Sequence, residues 1–184
     1  IERKKLSDGL IDKTGFLQRL EIKLSVSPPD ETELQRVVQL INKTNQFNLT
    51  TKRYDLADVM NIISNSSQEI LVCKLTDKFG AYGLIGVQIL MFNKEDCLID
   101  TFLISCRALG RHIEASILAV LESRARASKA TRLLGCYRPS AKNTLVANFY
   151  SSNGFRKSDE DGLFIKDLRT EPVMQVSAHI NLVN

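Results

Sequence analysis

The chain has 184 residues, of which 43% are hydrophobic and 25% are charged, and its net charge is +4. This length and composition fit one globular domain with a sizeable core, and they exclude a disordered chain. No basic run is long enough for a nucleic-acid surface, no apolar run reaches the roughly 20 residues of a membrane span, and no secretory signal opens the chain.

Cysteine and histidine usage limits the chemistry further. The cysteines lack CxxC spacing and predict reduced thiols in a cytoplasmic protein rather than a disulfide framework or a zinc site. They are Cys73, Cys97, Cys106 and Cys136. The two histidines, His112 and His179, are too few and too scattered for a metal cluster. We therefore expect no metal.

The N-terminal part of the chain predicts a connector, a strand and two helices. Residues 1–20 predict a short helical connector from an upstream domain, since the chain opens at Ile1 with a charged run. Residues 21–27 alternate as a half-exposed strand, which Pro28-Pro29 ends. Asp30 with Glu33 then predicts a capped helix. Its apolar stripe is Leu34, Val37, Val38 and Ile41, and the stripe of a second short helix is Leu56, Val59, Met60 and Ile63.

The remaining segments predict a meander followed by alternating helices and strands. Three strand-like runs at 69–76, 83–92 and 97–105 are separated by short polar turns, which is typical of an antiparallel meander. A long helix at 111–128, a strand at 131–136, a helix near 143–152 and a hairpin at 155–167 follow. We expect one domain over 21–168 and a tail over 169–184 that forms an extra strand, exchanges with a partner or is disordered.

The segment from Ile99 to Glu114 is the most informative stretch, because it reads as a buried strand, a very short turn and the start of the long helix. Arg107, Gly110 and Arg111 lie in the turn. A helix start offers unpaired N–H groups to an anion and disfavours nearby cations. The pattern therefore predicts either a phosphate between two arginines or a solvated arginine-rich turn.

Two motifs in this order resemble the GNAT acyltransferases. Arg107-Ala-Leu-Gly110-Arg-His112 resembles the acyl-CoA loop of that family, Arg/Gln-x-x-Gly-x-Gly/Ala, and Asn143…Phe149-Tyr150-Ser-Ser-Asn-Gly154-Phe155 resembles its closing motif. The resemblance implies an α/β (α+β) GNAT fold. Such a fold has a central mixed, mainly antiparallel sheet flanked by helices, with a strand–phosphate-loop–helix core.

A resemblance to one subgroup covers nearly the whole chain. Residues 44–51, 77–80, 83–87 and 100–107 resemble the C-terminal region of FkbH-like proteins, which carry a HAD-superfamily domain upstream. This implies work on an acyl carrier protein, where the HAD part loads a glyceryl unit in methoxymalonyl-type polyketide biosynthesis. The only Asp-x-Asp here, at 159–161, reads as a hairpin turn, so the glyceryl-transfer chemistry belongs to the upstream part.

The resemblance also implies a cofactor site for CoA, acyl-CoA or carrier-bound phosphopantetheine. Its residues would be Ser105, Cys106, Arg107, Ala108, Leu109, Gly110, Arg111, His112 and Asn143. His112 departs from the family pattern, and it would narrow the phosphate cradle, add a cation or point to solvent. Asn143 would bond the pantetheine arm or cap a helix, and Cys106 would be a reactive or an inert thiol.

Catalytic and acceptor-side residues follow from the same resemblance. Tyr150 would protonate the departing thiolate or anchor the core, and Asp100 would be the base or an edge residue. A polyhydroxy acyl unit would contact the loop residues Asn45, Phe47, Asn48 and Thr50. Two functions remain open. The domain is an acyltransferase, or it is a non-catalytic module that docks the carrier protein for the HAD partner.

Overall fold

The computed structural model describes residues 13–183, which build one sheet with helices on both faces. Its strands are β1 (Ile22–Ser27), β2 (Gln68–Asp77), β3 (Gly80–Asn93), β4 (Asp96–Ile104), β5 (Arg132–Cys136), β6 (Arg156–Lys157), β7 (Leu163–Asp167) and β8 (Ile180–Leu182). Its helices are α1 (Lys13–Gln18), α2 (Leu34–Lys43), α3 (Leu56–Ser64) and α4 (Glu114–Ala127). Residues 1–12 of the predicted connector, and Asn184, lie outside the described residues.

The strand order in the eight-stranded sheet is β6-β7-β5-β4-β3-β2-β1-β8. The β4–β5 and β1–β8 pairs are parallel, and the other five pairs are antiparallel. The predicted meander and the mixed, mainly antiparallel sheet are therefore confirmed. Residues of the C-terminal tail form β8 beside β1, at one edge of the sheet.

Local sequence signals place α2 as predicted. The Asp30 carboxylate accepts hydrogen bonds from the Thr32 and Glu33 amides, and the Glu33 carboxylate accepts one from the Asp30 amide. This capping box satisfies donors that the helix start would otherwise leave unpaired. The helix then buries Val37, Leu40 and Ile41 against the sheet.

Two helix predictions differ from the structure. In α3 the buried side chains are Val59 and Ile62, whereas Met60 and Ile63 are exposed, because the face turned to the sheet is rotated from the predicted stripe. The helix predicted near 143–152 is instead two 3-10 turns, Thr144–Val146 and Ser151–Asn153. Gly154 adopts a left-handed conformation (φ 84°) and ends the second turn.

A bulge in β4 opens the sheet. Thr101 pairs with Ile89 and Ile99 pairs with Leu90, so Asp100 is an extra residue in the ladder. The β4–β5 pairing stops at Ile99, although β4 continues to Ile104. Bulges bend a strand and re-aim its side chains, and here the bent half of β4 leaves β5. The sheet therefore has a gap between the end of β4 and the chain that follows β5.

Candidate functional site

The gap in the sheet is filled by Phe47–Thr50, which we call the inserted segment. The Leu49 amide donates to the Phe102 carbonyl (3.0 Å), and the Ile104 amide donates to the Phe47 carbonyl (2.9 Å). The Thr50 hydroxyl donates to the Asp100 carbonyl (3.1 Å). The inserted segment thus runs antiparallel to the bent half of β4 and occupies its backbone groups.

The other edge of the inserted segment is bonded to the chain after β5. The Arg138 amide donates to the Leu49 carbonyl (2.8 Å), and the Asn143 side chain donates to the Asn48 carbonyl (2.8 Å). The Asn143 side chain also donates to the Arg138 carbonyl and accepts from the Ser140 amide. The inserted segment therefore bridges the gap like a short additional strand.

The side chains of the inserted segment are buried and used internally. Asn48 accepts from the amides of Thr50 and Thr51 and donates to the Thr44 carbonyl. The Phe47 ring lies 5.5 Å from the Phe149 ring and 6.1 Å from the Phe102 ring. The fourth predicted acceptor residue, Asn45, is half-buried and accepts from the Arg53 guanidinium. The polar atoms predicted to bind an acyl unit are thus engaged by the protein itself.

Tyr150 lies in the core with an unpaired hydroxyl. It is 1% exposed, and its hydroxyl has no hydrogen-bond partner among the described residues. Its ring lies against the backbone of Gly135, where a Cβ atom would come within 2.3 Å of the ring. Burial raises the pKa of Tyr150 well above its usual range. The hydroxyl therefore stays protonated, and in this conformation it does not reach solvent.

Asp100, the predicted base, is also enclosed. It is 1% exposed and forms an ion pair with Lys52. Its other oxygen accepts from the Tyr54 hydroxyl at 2.6 Å and from the Thr101 hydroxyl at 3.1 Å. Burial and the bond to Asp100 raise the pKa of Tyr54 above its usual range. Asp100 would have to give up one of these bonds before it could accept a proton from a substrate.

The predicted phosphate loop keeps its backbone donors. Ser105 caps a 3-10 turn over Cys106–Ala108, and α4 begins at Glu114. Between these elements the amides of residues 110–113 donate to no group of residues 13–183. Ala108 is buried in the core and half-buried Leu109 packs against it, so both side chains anchor the turn to the core. The start of α4 can therefore accept an anion at its backbone.

Its two arginines differ in environment. Arg111 is 6% exposed, and its guanidinium lies 3.2 Å from the Asp77 carboxylate and 4.2 Å from the centre of the Tyr82 ring. The anion beside Arg111 is thus the protein's own Asp77. Arg107 is exposed and donates only to the Leu84 carbonyl and the Ser105 hydroxyl among the described residues. Arg107 is therefore the arginine that a bound phosphate can reach.

The backbone of His112 adopts a conformation that disfavours any residue with a Cβ atom. Its φ is 53°, in the left-handed region that favours glycine, and its side chain is exposed. We expect His112→Gly to raise the free energy of unfolding by about 0.5–1 kcal/mol, measured by urea denaturation, because it relieves this strain. His112→Ala keeps the strain and is the matched control, so equal stability of the two variants would contradict the strain argument.

A basic cleft of about 820 Å³ opens at the C-terminal end of β4. Four cationic side chains line it: Arg36, Lys43, Arg107 and Lys142. Arg36 and Lys43 were not predicted as site residues, although their spacing of seven places them on one face of α2.

Exposed Cys106 also lines the cleft, whereas Cys73 and Cys97 are buried and Cys136 is half-buried. Burial raises the pKa of Cys97 to about 12.

Two further findings concern the described part of the chain. Within residues 13–183, no group of three or more His, Cys, Asp or Glu side chains is placed to hold a metal ion. Over the same residues, no helix combines the length and the apolar character needed to cross a membrane.

The mixed sheet, with its bulged β4 paired in parallel with β5 and followed by a loop into α4, has the GNAT acetyltransferase fold, as the comparison with solved structures shows. A GNAT-family acetyltransferase from Staphylococcus aureus Mu50 is similar over 79% of this chain and 99% of its own, with 11% identity and a TM-score of 0.60. The Escherichia coli ribosomal-protein-S18-alanine N-acetyltransferase is similar over 84% of this chain and 97% of its own (13% identity, TM-score 0.57).

A third similar structure holds a ligand. Spermidine N-acetyltransferase from Vibrio cholerae, solved with CoA and spermine, matches 73% of this chain and 82% of its own, with 13% identity and a TM-score of 0.55. No protein-family model and no curated protein sequence matches the chain. At these identities the likeness establishes the fold.

Proposed function

We propose that this domain recognises the phosphopantetheine group of an acyl carrier protein or of CoA, and that it performs no acyl transfer of its own in the conformation described. The observation that carries the proposal is the inserted segment. The sequence motifs, the exposed Arg107 and the amides of residues 110–113, which have no acceptor within residues 13–183, support phosphate recognition. This is the docking function. It is favoured over catalysis because the inserted segment fills the gap between β4 and the chain that follows β5.

The residues fit one half of the implied cofactor. A phosphate fits the loop, because within residues 13–183 the amides of residues 110–113 have no acceptor and exposed Arg107 has no carboxylate partner. A pantetheine arm that reached from this loop to the Tyr150 hydroxyl would have to pass between β4 and Asn143. The inserted segment fills that space and bonds both sides of it. The arm therefore does not fit this route, and we derive no chemical step through it.

One observation favours the acyltransferase alternative. A buried hydroxyl without a partner is unfavourable by roughly 1–3 kcal/mol, and Tyr150 carries one. In an acyltransferase the inserted segment would leave the gap, and the Tyr150 hydroxyl would then donate to the departing thiolate. Asp100 would act as the base after Lys52 withdrew. This alternative requires a second conformation of the chain.

The wider biological setting rests on the resemblance to FkbH-like proteins. On that basis we propose an acyl carrier protein as the partner, and an upstream HAD-superfamily domain that makes the glyceryl or methoxymalonyl-type thioester. The present domain would hold the carrier's arm for that partner. The docking and acyltransferase functions are distinguished by measuring ligand binding and acyl-transfer turnover separately.

Calorimetry with CoA and with phosphopantetheinylated carrier protein tests recognition, and thiol release from acetyl-CoA tests catalysis. We expect binding without turnover. Binding of neither ligand would overturn the proposed function, and turnover that depends on Tyr150 would establish the acyltransferase alternative.

Tyr150→Phe separates the two functions. For the docking module we expect a free energy of unfolding about 1 kcal/mol higher in urea, because the variant removes an unpaired buried hydroxyl, and unchanged ligand affinity. For an acyltransferase the same change would slow thiol release. Phe164→Leu, which alters a ring 5.6 Å from Tyr150 without touching a hydroxyl, is the control for packing.

A further inference from the structure

We propose that the phosphopantetheine arm lies in the basic cleft at the end of β4, which Arg107 shares with the loop, and that Arg36 and Lys43 of α2 bind the arm's phosphate together with Arg107. The ligand's identity rests on the function proposed above. The location of the site does not depend on that proposed function, because it follows from the charge and shape of the cleft. It places the arm beside α2, outside the gap that the inserted segment fills.

The charge of the cleft is uncompensated. No carboxylate lines it, and its four cations have no carboxylate partner within residues 13–183. Six other arginines of the described chain are paired with carboxylates, whereas Arg19, Arg53 and Arg138 are not: the six are Arg111, Arg124, Arg126, Arg132, Arg156 and Arg169. Like charges around one cleft repel each other and raise its positive potential. A phosphate placed among them relieves that repulsion.

Arg36 and Lys43 lie on one face of α2, which continues the 3-10 turn Glu31–Glu33. Lys43 lies in the last turn, where the helix dipole favours a cation. Arg36, Gln39, Leu40 and Lys43 form one face of the helix, and all four line the cleft. That face thus presents two cations to a common ligand.

The size and lining of the cleft suit more than a phosphate. About 820 Å³ lies within the usual 300–1,000 Å³ range of small-molecule sites. Amide and hydroxyl groups of Gln39, Asn45, Gln46 and Ser105 line it, next to the apolar side chains of Leu40, Phe47, Ile104 and Ala141. The side-chain oxygens of Gln39, Asn45 and Ser105 already accept hydrogen bonds, but the side-chain nitrogens of Gln39, Asn45 and Gln46 donate to no group of residues 13–183. These nitrogens can bond the carbonyl groups of a pantetheine arm, and the apolar side chains can contact its methyl groups.

The test compares Arg36→Ala/Lys43→Ala with Lys23→Ala/Lys157→Ala, which removes the same charge from exposed strand positions outside the cleft. The probes are 4′-phosphopantetheine, pantetheine without the phosphate, CoA, and carrier protein with and without its arm, measured by calorimetry. We expect the cleft variant to bind phosphopantetheine at least tenfold more weakly than the control, and added salt to weaken wild-type binding. Pantetheine should bind more weakly than phosphopantetheine to the wild type and equally to both variants.

Exposed Cys106 provides a second readout on the folded protein. Phosphopantetheine should slow its alkylation by a maleimide in the wild type and not in the cleft variant, with Cys106→Ser identifying the modified peptide. Equal affinity of the two double variants for phosphopantetheine, or unprotected Cys106 at saturation, would overturn this site while leaving the proposed function intact. Absence of wild-type binding to every probe would overturn both. Tight binding of CoA but not of the carrier would retain the site and assign it to free cofactor.

Discussion

Glu122→Ala should lower the free energy of unfolding by about 3–5 kcal/mol, measured by urea denaturation. Glu122 has no exposed surface, and its carboxylate accepts hydrogen bonds from Arg126 (2.6 Å) and Lys166 (2.9 Å). Lys166 is only 4% exposed, so the variant leaves its ammonium group buried without a carboxylate. A loss of this size is a large part of the 5–15 kcal/mol of a typical domain.

The same network attaches the C-terminal tail. The Lys166 ammonium group donates to the Pro172 carbonyl, and the Glu122 carboxylate accepts from the Met174 amide (3.4 Å). We therefore expect Glu122→Ala to make residues 172–182 more sensitive to proteolysis. The control is Arg156→Ala, which breaks an exposed ion pair with Glu171 and should change stability by less than about 1 kcal/mol.

Replacing both charges separates the cost of an unpaired charge from the cost of lost volume. Glu122→Leu/Lys166→Met removes both fully buried charges and leaves only the half-buried Arg126 without its carboxylate, so it should be more stable than Glu122→Ala. If the double variant were as unstable as the single one, the network would matter for packing and not for charge.

Local patterns predicted the parts of the fold that local physics determines. The capping box of Asp30 and Glu33 needs only four consecutive residues, and the meander needs only alternating strands with short turns between them. A turn at 107–112 was also predicted, and Gly110 there has a positive φ (81°), whereas the positive φ of His112 (53°) was not predicted, because histidine has no preference for that conformation. These features depend on residues that are close together in the sequence.

The candidate functional site depends on contacts between residues far apart in the sequence, which a local pattern does not predict. Leu49 pairs with Phe102, and Arg111 bonds Asp77, which is 34 residues away. The loop at 45–51 was rich in amide and hydroxyl groups, and this composition suits a ligand surface and a self-bonded segment equally well. Only the three-dimensional structure distinguishes the two, because it shows where the amides of Asn48 and Asn143 donate.

Asn143→Ala should lower the free energy of unfolding by about 3 kcal/mol. Asn143 is fully buried and satisfies three backbone groups: the Ser140 amide at 2.7 Å and the carbonyls of Asn48 and Arg138 at 2.8 and 3.0 Å. Each buried group left unpaired costs about 1–3 kcal/mol. The measurement is urea denaturation against Asn148→Ala, an exposed asparagine five residues further along, which should be within about 0.5 kcal/mol of the wild type.

The sequence resemblance gives Asn143 a different role, as a ligand of the pantetheine arm, and the variant distinguishes the two. If Asn143 holds the inserted segment in the gap, its loss destabilises the protein and frees the edge of β4 for a ligand. CoA should then stabilise the variant more than the wild type in thermal unfolding, since a ligand that binds only the folded state shifts the transition upward. If Asn143 is instead a ligand residue, the variant keeps its stability and loses affinity for CoA. That second result would show that the inserted segment is held without Asn143, and it would return the acyltransferase function to first place.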